Sequence, residues 1–276
     1  MRRSIMIFKS RARVFLACVL YIAAKVLPAH WQRNTAGKTR VLVFHHIDDP
    51  ARFRSILAAL CRNYQVLSFD QYLTGEVSAE RINVVLALDD GYSSWFGTAL
   101  PLFREYGIRP LLFINSDFVG LDEEVAKEYC RRAITTWPEA GLAWDEVRAL
   151  EEAGAEIGGH SQGHVNLVTC ESTERIEAVV HNDRLAIGHA LGHPIRSFAY
   201  PFGRYDDRAA VAIAKAGYSF GFTSDSGFLD DSEGPLLLKR SNIGLRPSLV
   251  VCAMVEGWPD FVSEIVRRLK RKSARK

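Results

Sequence analysis

Short apolar runs alternate with helical patterns along most of this chain, and this alternation limits the possible folds more than any other feature. Several of the runs are apolar at nearly every position, as expected of strands that are buried on both faces. Strands that alternate with helices predict βα units and a mostly parallel sheet. The predicted strands are Val41–Ile47, Val66–Phe69, Asn83–Leu88, Pro110–Ile114, Ala155–Gly158, Ser197–Tyr200, Tyr218–Phe222 and Leu236–Ile243.

Helices are predicted between these strands, where apolar residues recur with a helical period. Gly154 and Gly217 follow two of them at the position where glycine commonly ends a helix, and Ser172 or Thr173 is a candidate N-cap for a third. Residues 117–143 break the alternation and are predicted to be an insertion of the kind that shapes a barrel's substrate groove. The predicted helices are Ala51–Arg62, Ser93–Tyr106, Trp144–Ala153, Ser172–Leu191, Asp206–Ala216 and Asp260–Lys272.

Charge is distributed unevenly along the 276 residues. The net charge of +3 is too small to indicate nucleic acid as a partner. Residues 2–13 hold five basic side chains and residues 267–276 hold seven, with no acid in either segment. The globular middle of the chain is therefore acidic and lies between two basic ends, a pattern that suits anionic lipid headgroups.

An apolar run, Val14–Leu27, follows the first basic segment. Its 14 residues are fewer than the ~20 that span a bilayer. The pattern resembles a signal peptide, with a weak cleavage site at Leu27-Pro28-Ala29, or a signal anchor. An interfacial helix or a buried helix fits the same residues. We predict membrane association, on a side that the sequence leaves open.

The chain divides by composition into three predicted parts. Residues 1–38 are the basic and apolar N-terminal segment, residues 39–258 form one globular domain without an internal linker, and residues 259–276 are a basic helix and tail. The five cysteines are widely spaced with no CxxC pair, so neither a disulfide framework nor a cysteine metal site is indicated. This cysteine usage favours a reducing compartment, in conflict with a secretion signal.

Two adjacent carboxylates end the third predicted strand. Asp89 and Asp90 come directly after an apolar run and are followed by Gly91, which permits a tight turn. Strand ends at the carboxyl edge of a parallel sheet are where α/β barrels place their sites. Burying two carboxylates side by side costs free energy unless a cation compensates. A polar loop with an aspartate N-cap is the alternative interpretation.

Two histidines four residues apart end another apolar strand. Within one helical turn, the spacing of His160 and His164 puts both rings on one side. Two imidazoles and one carboxylate are a common ligand set for a catalytic divalent ion. A third strand end, Ala199 to Gly203, contains Tyr200 and Pro201 and has backbone N–H groups that suit a developing oxyanion.

These three segments, in this order, resemble the polysaccharide deacetylase family, which is also called the NodB-homology family or carbohydrate esterase family 4. The resemblance covers about residues 41–245 and implies a distorted (β/α) barrel. It implies that Asp90, His160 and His164 bind the metal and that Asp89 is the general base. It also implies that the Tyr200 backbone N–H binds the oxyanion, while Ser161 orients a metal ligand from the second shell.

The chain departs from the family pattern at two positions. Many members have an arginine that orients the base near the position of Ala199, and a late histidine that protonates the leaving amine. The late strand here, Leu236–Ile243, contains no histidine. One branch of the family instead carries the acid histidine on an early strand, where His45 stands in this sequence. Because side chains alternate along a strand, His46 is predicted to face away from the site.

The expected function is metal-dependent removal of N-acetyl groups from a sugar or polysaccharide, with an N-acetylated glycan or a lipid-linked sugar as the substrate. Zn²⁺ is the expected ion, although Co²⁺, Ni²⁺, Mn²⁺ and Fe²⁺ fit the same ligands. Two alternatives stay open: a deformylase or O-acetyl esterase with the same site, and a degenerate, membrane-tethered glycan-binding protein. Core packing is predicted for Trp95, Trp137 and Trp144, with stacking on sugar rings as the alternative. His181, His189 and His193 are predicted to lie on the surface.

Overall fold

The computed structural model describes residues 2–26, 35–135, 137–230, 232 and 234–273. The strands are β1 Thr39–Phe44, β2 Gln65–Val66, β3 Asn83–Asp90, β4 Leu111–Ile114, β5 Glu156–Gly159, β6 Ser197–Ala199, β7 Phe220–Phe222 and β8 Arg240–Asn242. The helices are α1 Arg2–Val26, α2 Pro50–Asn63, α3 Phe69–Leu73, α4 Leu100–Tyr106, α5 Glu123–Tyr129, α6 Trp144–Glu152, α7 Thr173–Leu191, α8 Asp207–Lys215, α9 Ser248–Val255 and α10 Trp258–Ser273.

The strands form one parallel sheet in the order β7-β6-β5-β4-β3-β1-β8, and β2 also pairs with β3. Phe222 of β7 pairs with Leu238, in the segment that leads into β8. The Thr223 N–H donates to the Leu238 carbonyl at 2.9 Å and extends this contact. The sheet is therefore nearly closed, and the predicted fold, a distorted (β/α) barrel, is confirmed.

Alternate residues of each strand enter two different cores. Val41 and Val43 of β1 belong to a small apolar cluster inside the barrel, whereas Leu42 and Phe44 pack in the large layer between sheet and helices. The inner cluster draws on β1, β3, β4, β6 and β7. Both faces of the sheet are thus buried, which explains why the strand sequences are apolar at nearly every position.

Several predicted strands are shorter in the structure, the second and the last among them. The strand predicted at Val66–Phe69 stops at Val66 because Ser68 begins α3. The Ser68 hydroxyl accepts from the Gln71 N–H, and the Gln71 side chain accepts from the Ser68 N–H, which is a capping box. The late strand is reduced to β8 and the single pairing at Leu238.

Residues 117–143 form an ordered excursion between β4 and α6 rather than an irregular loop. They contain α5 and a wide π-type turn at Cys130–Ile134, and Gly141 pairs with Tyr92 beside the end of β3. The insertion therefore returns to the carboxyl edge of the barrel. This is the position expected of a segment that shapes the substrate groove.

The predicted helix ends are confirmed. Gly154 and Gly217 have φ angles of 96° and 89°, the left-handed region that glycine adopts without steric cost. Of the two candidate N-caps of α7, the Ser172 side chain accepts from the Arg175 N–H.

The basic and apolar N-terminal run is one long helix. α1 packs against α9 and α10, so it contacts the helix predicted at the C-terminus. The candidate cleavage site at residues 27–29 lies outside the described residues. Of the helices that the structure describes, none combines the length and apolarity that crossing a bilayer demands. The division at residues 38 and 258 and the membrane association stay predictions.

Candidate active site

The carboxyl ends of β3 and β5 bring the carboxylates and histidines together. Asp89 and Asp90 are the last residues of β3, and His160 follows β5 directly. Because β3, β4 and β5 are parallel neighbours, their carboxyl ends meet at one edge. Asp90, His160 and His164 are all buried, and one ligand atom from each lies within 4.8 Å of the others. The structure thus groups the three predicted metal ligands, hereafter the metal triad.

Backbone carbonyls hold both imidazole rings. His160 Nδ1 lies 2.7 Å from the Ala199 oxygen, and His164 Nδ1 lies 3.1 Å from the Ala133 oxygen. A carbonyl oxygen can only accept, so each Nδ1 carries a proton and each Nε2 faces the centre of the site. The two Nε2 atoms are 3.5 and 3.3 Å from Asp90 Oδ1. Histidines that ligate metals are commonly oriented in this way through their second nitrogen.

The metal triad fits a divalent cation. Asp90 Oδ2 is buried and has no hydrogen-bond partner among the described residues, which costs free energy in the absence of a compensating group. Neutral imidazoles would also turn two nitrogen lone pairs toward the same carboxylate. A cation between these atoms removes both unfavourable features, and two imidazoles with one carboxylate match the preferences of Zn²⁺ and its neighbours.

The pKa values of the triad reflect the same closely spaced charges. Burial alone would raise the pKa of Asp90, but hydrogen bonds from His160 and His164 outweigh burial and hold this pKa well below its usual range. Burial would lower the pKa of His160, whereas the Asp90 hydrogen bond and the charge of Asp89 raise it above its usual value. Asp90 is therefore ionised, as a metal ligand must be.

Backbone strain is concentrated at this site. Among the described residues, five other than glycine have a positive φ angle, and four of the five are Asp90, Ser161, His164 and Phe202, with φ of 91°, 62°, 48° and 58°. Such conformations cost about 1–3 kcal/mol each and persist where surrounding contacts enforce them, often at functional sites.

Ser161 acts on the loop rather than directly on a ligand ring. Its buried hydroxyl accepts from the Val165 N–H at 3.0 Å, and its carbonyl accepts from the His164 N–H at 3.2 Å. These bonds close the turn that carries both histidines. Ser161 contacts neither ring directly in these hydrogen bonds, and its role in orienting a ligand stays a prediction; the two carbonyls contact the rings.

Asp183 supports the site, and the sequence reasoning missed it. This fully buried side chain on α7 accepts from the His160 N–H and the Ser116 N–H, each at 2.9 Å. Burial raises its pKa to about 6, against the lowering effect of these hydrogen bonds. The sequence feature that could have revealed Asp183 is its position on the apolar face of α7, between Val180 and Ile187, where a charged side chain is unusual.

Arg240 supplies the arginine that the family pattern places elsewhere. Its Nη1 and Nη2 lie 2.7 and 3.0 Å from the two carboxylate oxygens of Asp89, and its Nε donates to the Thr223 oxygen at 2.9 Å. Burial would raise the pKa of Asp89, but the charges of Arg240, His160 and His45 and the Arg240 hydrogen bond together outweigh burial and lower it. From the sequence, Asp89 had no predicted arginine partner, because the family pattern places that arginine near Ala199. In this chain the arginine lies on the late strand instead.

The two histidines after β1 face different surroundings. His45 continues the alternation of Val41 and Val43 and lines the cavity of the metal triad, and its charge also lowers the pKa of Asp89. His46 does not line that cavity and stacks instead on Trp137, with ring centroids 5.5 Å apart. Of the two, only His45 reaches the site, as predicted from the strand period.

The Tyr200 backbone N–H is not placed to bind an oxyanion, which corrects the prediction. It donates to the Phe222 carbonyl at 3.0 Å, within the pairing of β6 and β7. Phe202, two residues later, lines the cavity and packs its ring against His164 at 4.6 Å. Of these two residues, Phe202 is therefore the one that lines the cavity of the metal triad.

Two adjoining cavities lie above the barrel. The cavity at the metal triad has a volume of about 280 Å³, and a second one of about 530 Å³ lies beside it. His45 and Asn242 line both, so the cavities share a wall. The larger one is also lined by His46, Asp48, Asp49, Arg52, Gly244 and Leu245.

The three tryptophans have different environments. Trp95 is fully buried and donates from Nε1 to the His45 carbonyl at 2.8 Å, and Trp144 packs half-buried against the core. Trp137 is 56% exposed, so the prediction of core packing is wrong for this residue. It lies on the insertion, and the sequence pattern did not show that this side chain stays exposed there. The three histidines predicted on the surface, at positions 181, 189 and 193, are exposed.

Comparison with known proteins identifies the family. A family model described as polysaccharide deacetylase matches residues 76–221, just over half of the chain. The chain belongs to the polysaccharide deacetylase family. YxkH of Bacillus subtilis (strain 168), which is named as a polysaccharide deacetylase, is 21% identical over 160 residues, or 58% of this chain. The match spans about half of that relative, 51% of its length.

Two solved structures share the fold of this deacetylase. The Streptococcus pyogenes deacetylase PplD, in complex with acetate, is 20% identical with a TM-score of 0.65, covering 80% of this chain and 99% of its own. IcaB from Ammonifex degensii is 18% identical with a TM-score of 0.65, covering 82% and 98%. The matched segment contains the metal triad, whereas His45 and Arg240 lie outside it.

Proposed function

We propose that this deacetylase hydrolyses N-acetyl groups on a sugar of a glycan, with a divalent cation bound by Asp90, His160 and His164. The observation that carries the proposal is the buried metal triad beside an ionised carboxylate, Asp89, that Arg240 holds at both oxygens. Zn²⁺ is the first candidate for the ion. When bound, the cation would polarise the acetyl carbonyl and lower the pKa of water.

Asp89 is the proton acceptor of the proposed reaction. Arg240 donates one hydrogen bond to each carboxylate oxygen of Asp89 and so keeps the carboxylate ionised and oriented. Each oxygen keeps a second lone pair that can accept a proton from an attacking water. A positioned general base of this kind typically contributes ~10²–10⁴-fold to the rate.

His45 is the proposed proton donor. An amide nitrogen leaves poorly without a proton, and His45 lines the same cavity as Asp89 from the neighbouring strand. The two groups approach the reacting carbon from different strands, so one can accept a proton while the other donates one. The Phe202 N–H faces the developing oxyanion in this proposal and replaces the role first given to Tyr200.

A glycan is the proposed substrate because an exposed aromatic surface adjoins the cavities. Trp137 stacks on His46, and His46 lines the larger cavity. Aromatic faces of this kind bind the apolar faces of sugar rings. A sugar next to the reacting one would lie in the larger cavity, against these rings.

The need for an acid distinguishes amide hydrolysis from ester hydrolysis. An O-acetyl sugar expels an alkoxide, which depends less on protonation than an amide nitrogen does, so a proton donor at His45 favours amide hydrolysis. A glycan-binding protein without catalysis would have no use for a buried carboxylate held by an arginine next to its metal ligands. A buried ion pair of this kind rarely stabilises a fold more than apolar side chains would.

The test is release of acetate from N-acetylated oligosaccharides by the purified chain. We expect activity that chelation removes and that one of the divalent cations restores, with one ion bound per chain. Parallel assays on formamides and O-acetyl sugars should give lower kcat/KM values. A chain that binds no divalent cation, or binds one and releases no acetate from any N-acetylated glycan, would contradict the proposal.

A further inference from the structure

α1 has one buried and one exposed apolar side. Ala17, Tyr21 and Ala24 are buried in the core shared with α9 and α10. Phe15 and Ile22, by contrast, are 72% and 50% exposed. Large apolar side chains recur on this outer side at the spacing of one helical face, at positions 15, 19 and 22.

The exposed side of α1 forms one wall of an apolar groove of about 530 Å³. Val14, Phe15, Cys18, Val19 and Ile22 line this wall. The opposite wall is the start of α9 and the loop before it, with Pro247, Leu249 and Val250. Leu249 is itself 47% exposed, so the apolar surface extends across both walls. Contiguous apolar side chains exposed on a surface commonly mark interaction sites when the patch they form is large.

The groove lies next to the catalytic cavities along a single loop. Asn242 lines the cavity of the metal triad, and Leu245 lines the larger cavity beside it. Arg246, the next residue, lines the apolar groove. The Arg52 side chain, which lines the larger cavity, donates to the Leu245 carbonyl at 3.5 Å. The loop therefore separates the mouth of the active site from the groove by the width of a few residues.

Charge decides between the possible occupants of this groove. The first half of α1 holds Arg2, Arg3, Lys9, Arg11 and Arg13 without an acid, and Arg246 adds a positive charge at the groove. A second copy docked by the same face would bring two such clusters together, and like charges repel. An anionic bilayer supplies the opposite charge for the basic half and an apolar layer for the exposed side chains.

We propose that α1 and residues 246–250 form a docking surface for an anionic lipid bilayer. The helix lies in the headgroup layer with Phe15, Val19 and Ile22 inserted and its basic half on the lipid phosphates. The mouth of the catalytic cavities then opens beside the membrane surface. The docking does not depend on the proposed catalytic activity, and its test has a separate readout.

The test is co-flotation of the full-length chain with vesicles of phosphatidylcholine alone or mixed with phosphatidylglycerol. We expect binding to the anionic vesicles that falls several-fold at high salt, and little binding to phosphatidylcholine alone. Leu249→Ser, and separately the double variant Phe15→Ser and Ile22→Ser, should each lower binding several-fold. Leu185→Ser on α7, which is 54% exposed and far from the groove in sequence, is the matched control and should bind as the unmodified chain does.

Three outcomes would overturn the proposal. The first is no preference of the unmodified chain for anionic vesicles. The second is equal loss of binding in Leu185→Ser and Leu249→Ser. The third is a dimer in size-exclusion chromatography that Leu249→Ser dissociates while vesicle binding stays unchanged, which would assign the groove to a second copy. Because Leu249→Ser changes one exposed side chain, its circular dichroism and melting temperature separate lost binding from lost folding.

Discussion

The pair of Asp89 and Arg240 allows a quantitative test, because both side chains are buried and each oxygen of the carboxylate has its own hydrogen bond. Arg240→Met keeps much of the side-chain volume and removes the charge. Breaking a buried pair from one side typically costs about 3–5 kcal/mol, since the remaining ion is left uncompensated. The Thr223 carbonyl also loses its donor from Arg240 Nε.

For a chain of this size, that loss corresponds to a fall in melting temperature of about 6–20 °C. A bound cation also opposes the charge of Asp89, so the fall should be larger after chelation than at saturating metal. Arg240→Lys restores the charge without the two parallel hydrogen bonds and should give intermediate stability and intermediate kcat. The matched control is Arg131→Met, whose exposed pair with Glu128 should contribute about 0–1 kcal/mol.

The assay is a double-mutant cycle by urea denaturation at fixed metal concentration. Asp89→Asn should recover part of the stability that Arg240→Met loses, because no uncompensated carboxylate is then buried. The reasoning would be refuted by an Arg240→Met variant within about 1 kcal/mol of the unmodified chain. A coupling free energy near zero between the two positions would refute it equally.

Three further predictions concern the reaction. His164→Ala should lower bound metal below one ion per chain and abolish activity, as measured by elemental analysis and acetate release; full metal content with full activity would contradict the triad. His45→Ala should keep the metal and lower kcat by ~10²–10⁴-fold on N-acetyl substrates, but much less on an aryl acetate, because a phenolate leaves without protonation; equal losses on both substrates would refute the role of the acid. Trp137→Ala should lower kcat/KM on oligosaccharides more than on N-acetylated monosaccharides, with Val125→Ala as the exposed control; parallel losses on both substrates would argue against a sugar-stacking surface.

The sequence predicted the barrel because its strands are apolar on both faces and its helices carry clear end signals. The grouping of Asp90, His160 and His164 could also be predicted, since the ends of neighbouring parallel strands meet at one edge of the sheet. The side on which His45 lies followed from the two-residue period of β1. These features depend on local patterns, which a single sequence records directly.

The features that the sequence did not reveal depend on contacts between distant segments. Arg240 lies 151 residues after Asp89 in the chain. The two side chains are in contact only because the sheet nearly closes. The Tyr200 N–H was assigned to the oxyanion because a sequence motif does not show that this N–H is hydrogen-bonded to the next strand. Trp137 was assigned to the core because the local sequence of the insertion does not show which of its side chains stay exposed.

In the proposed function, the cation ligands lie in one part of this chain, and the proposed acid and the arginine that holds the proposed base lie in another. The triad lies within residues 76–221, which match the family model, while His45 follows β1 and Arg240 begins β8, two strands that pair with each other outside that segment. If the proposed function holds, changes at His45 and Arg240 would keep the cation ligands and stop hydrolysis. A descendant with such changes would then be a metal-containing carbohydrate receptor, so the capacity to bind a glycan and the capacity to cleave one could evolve separately.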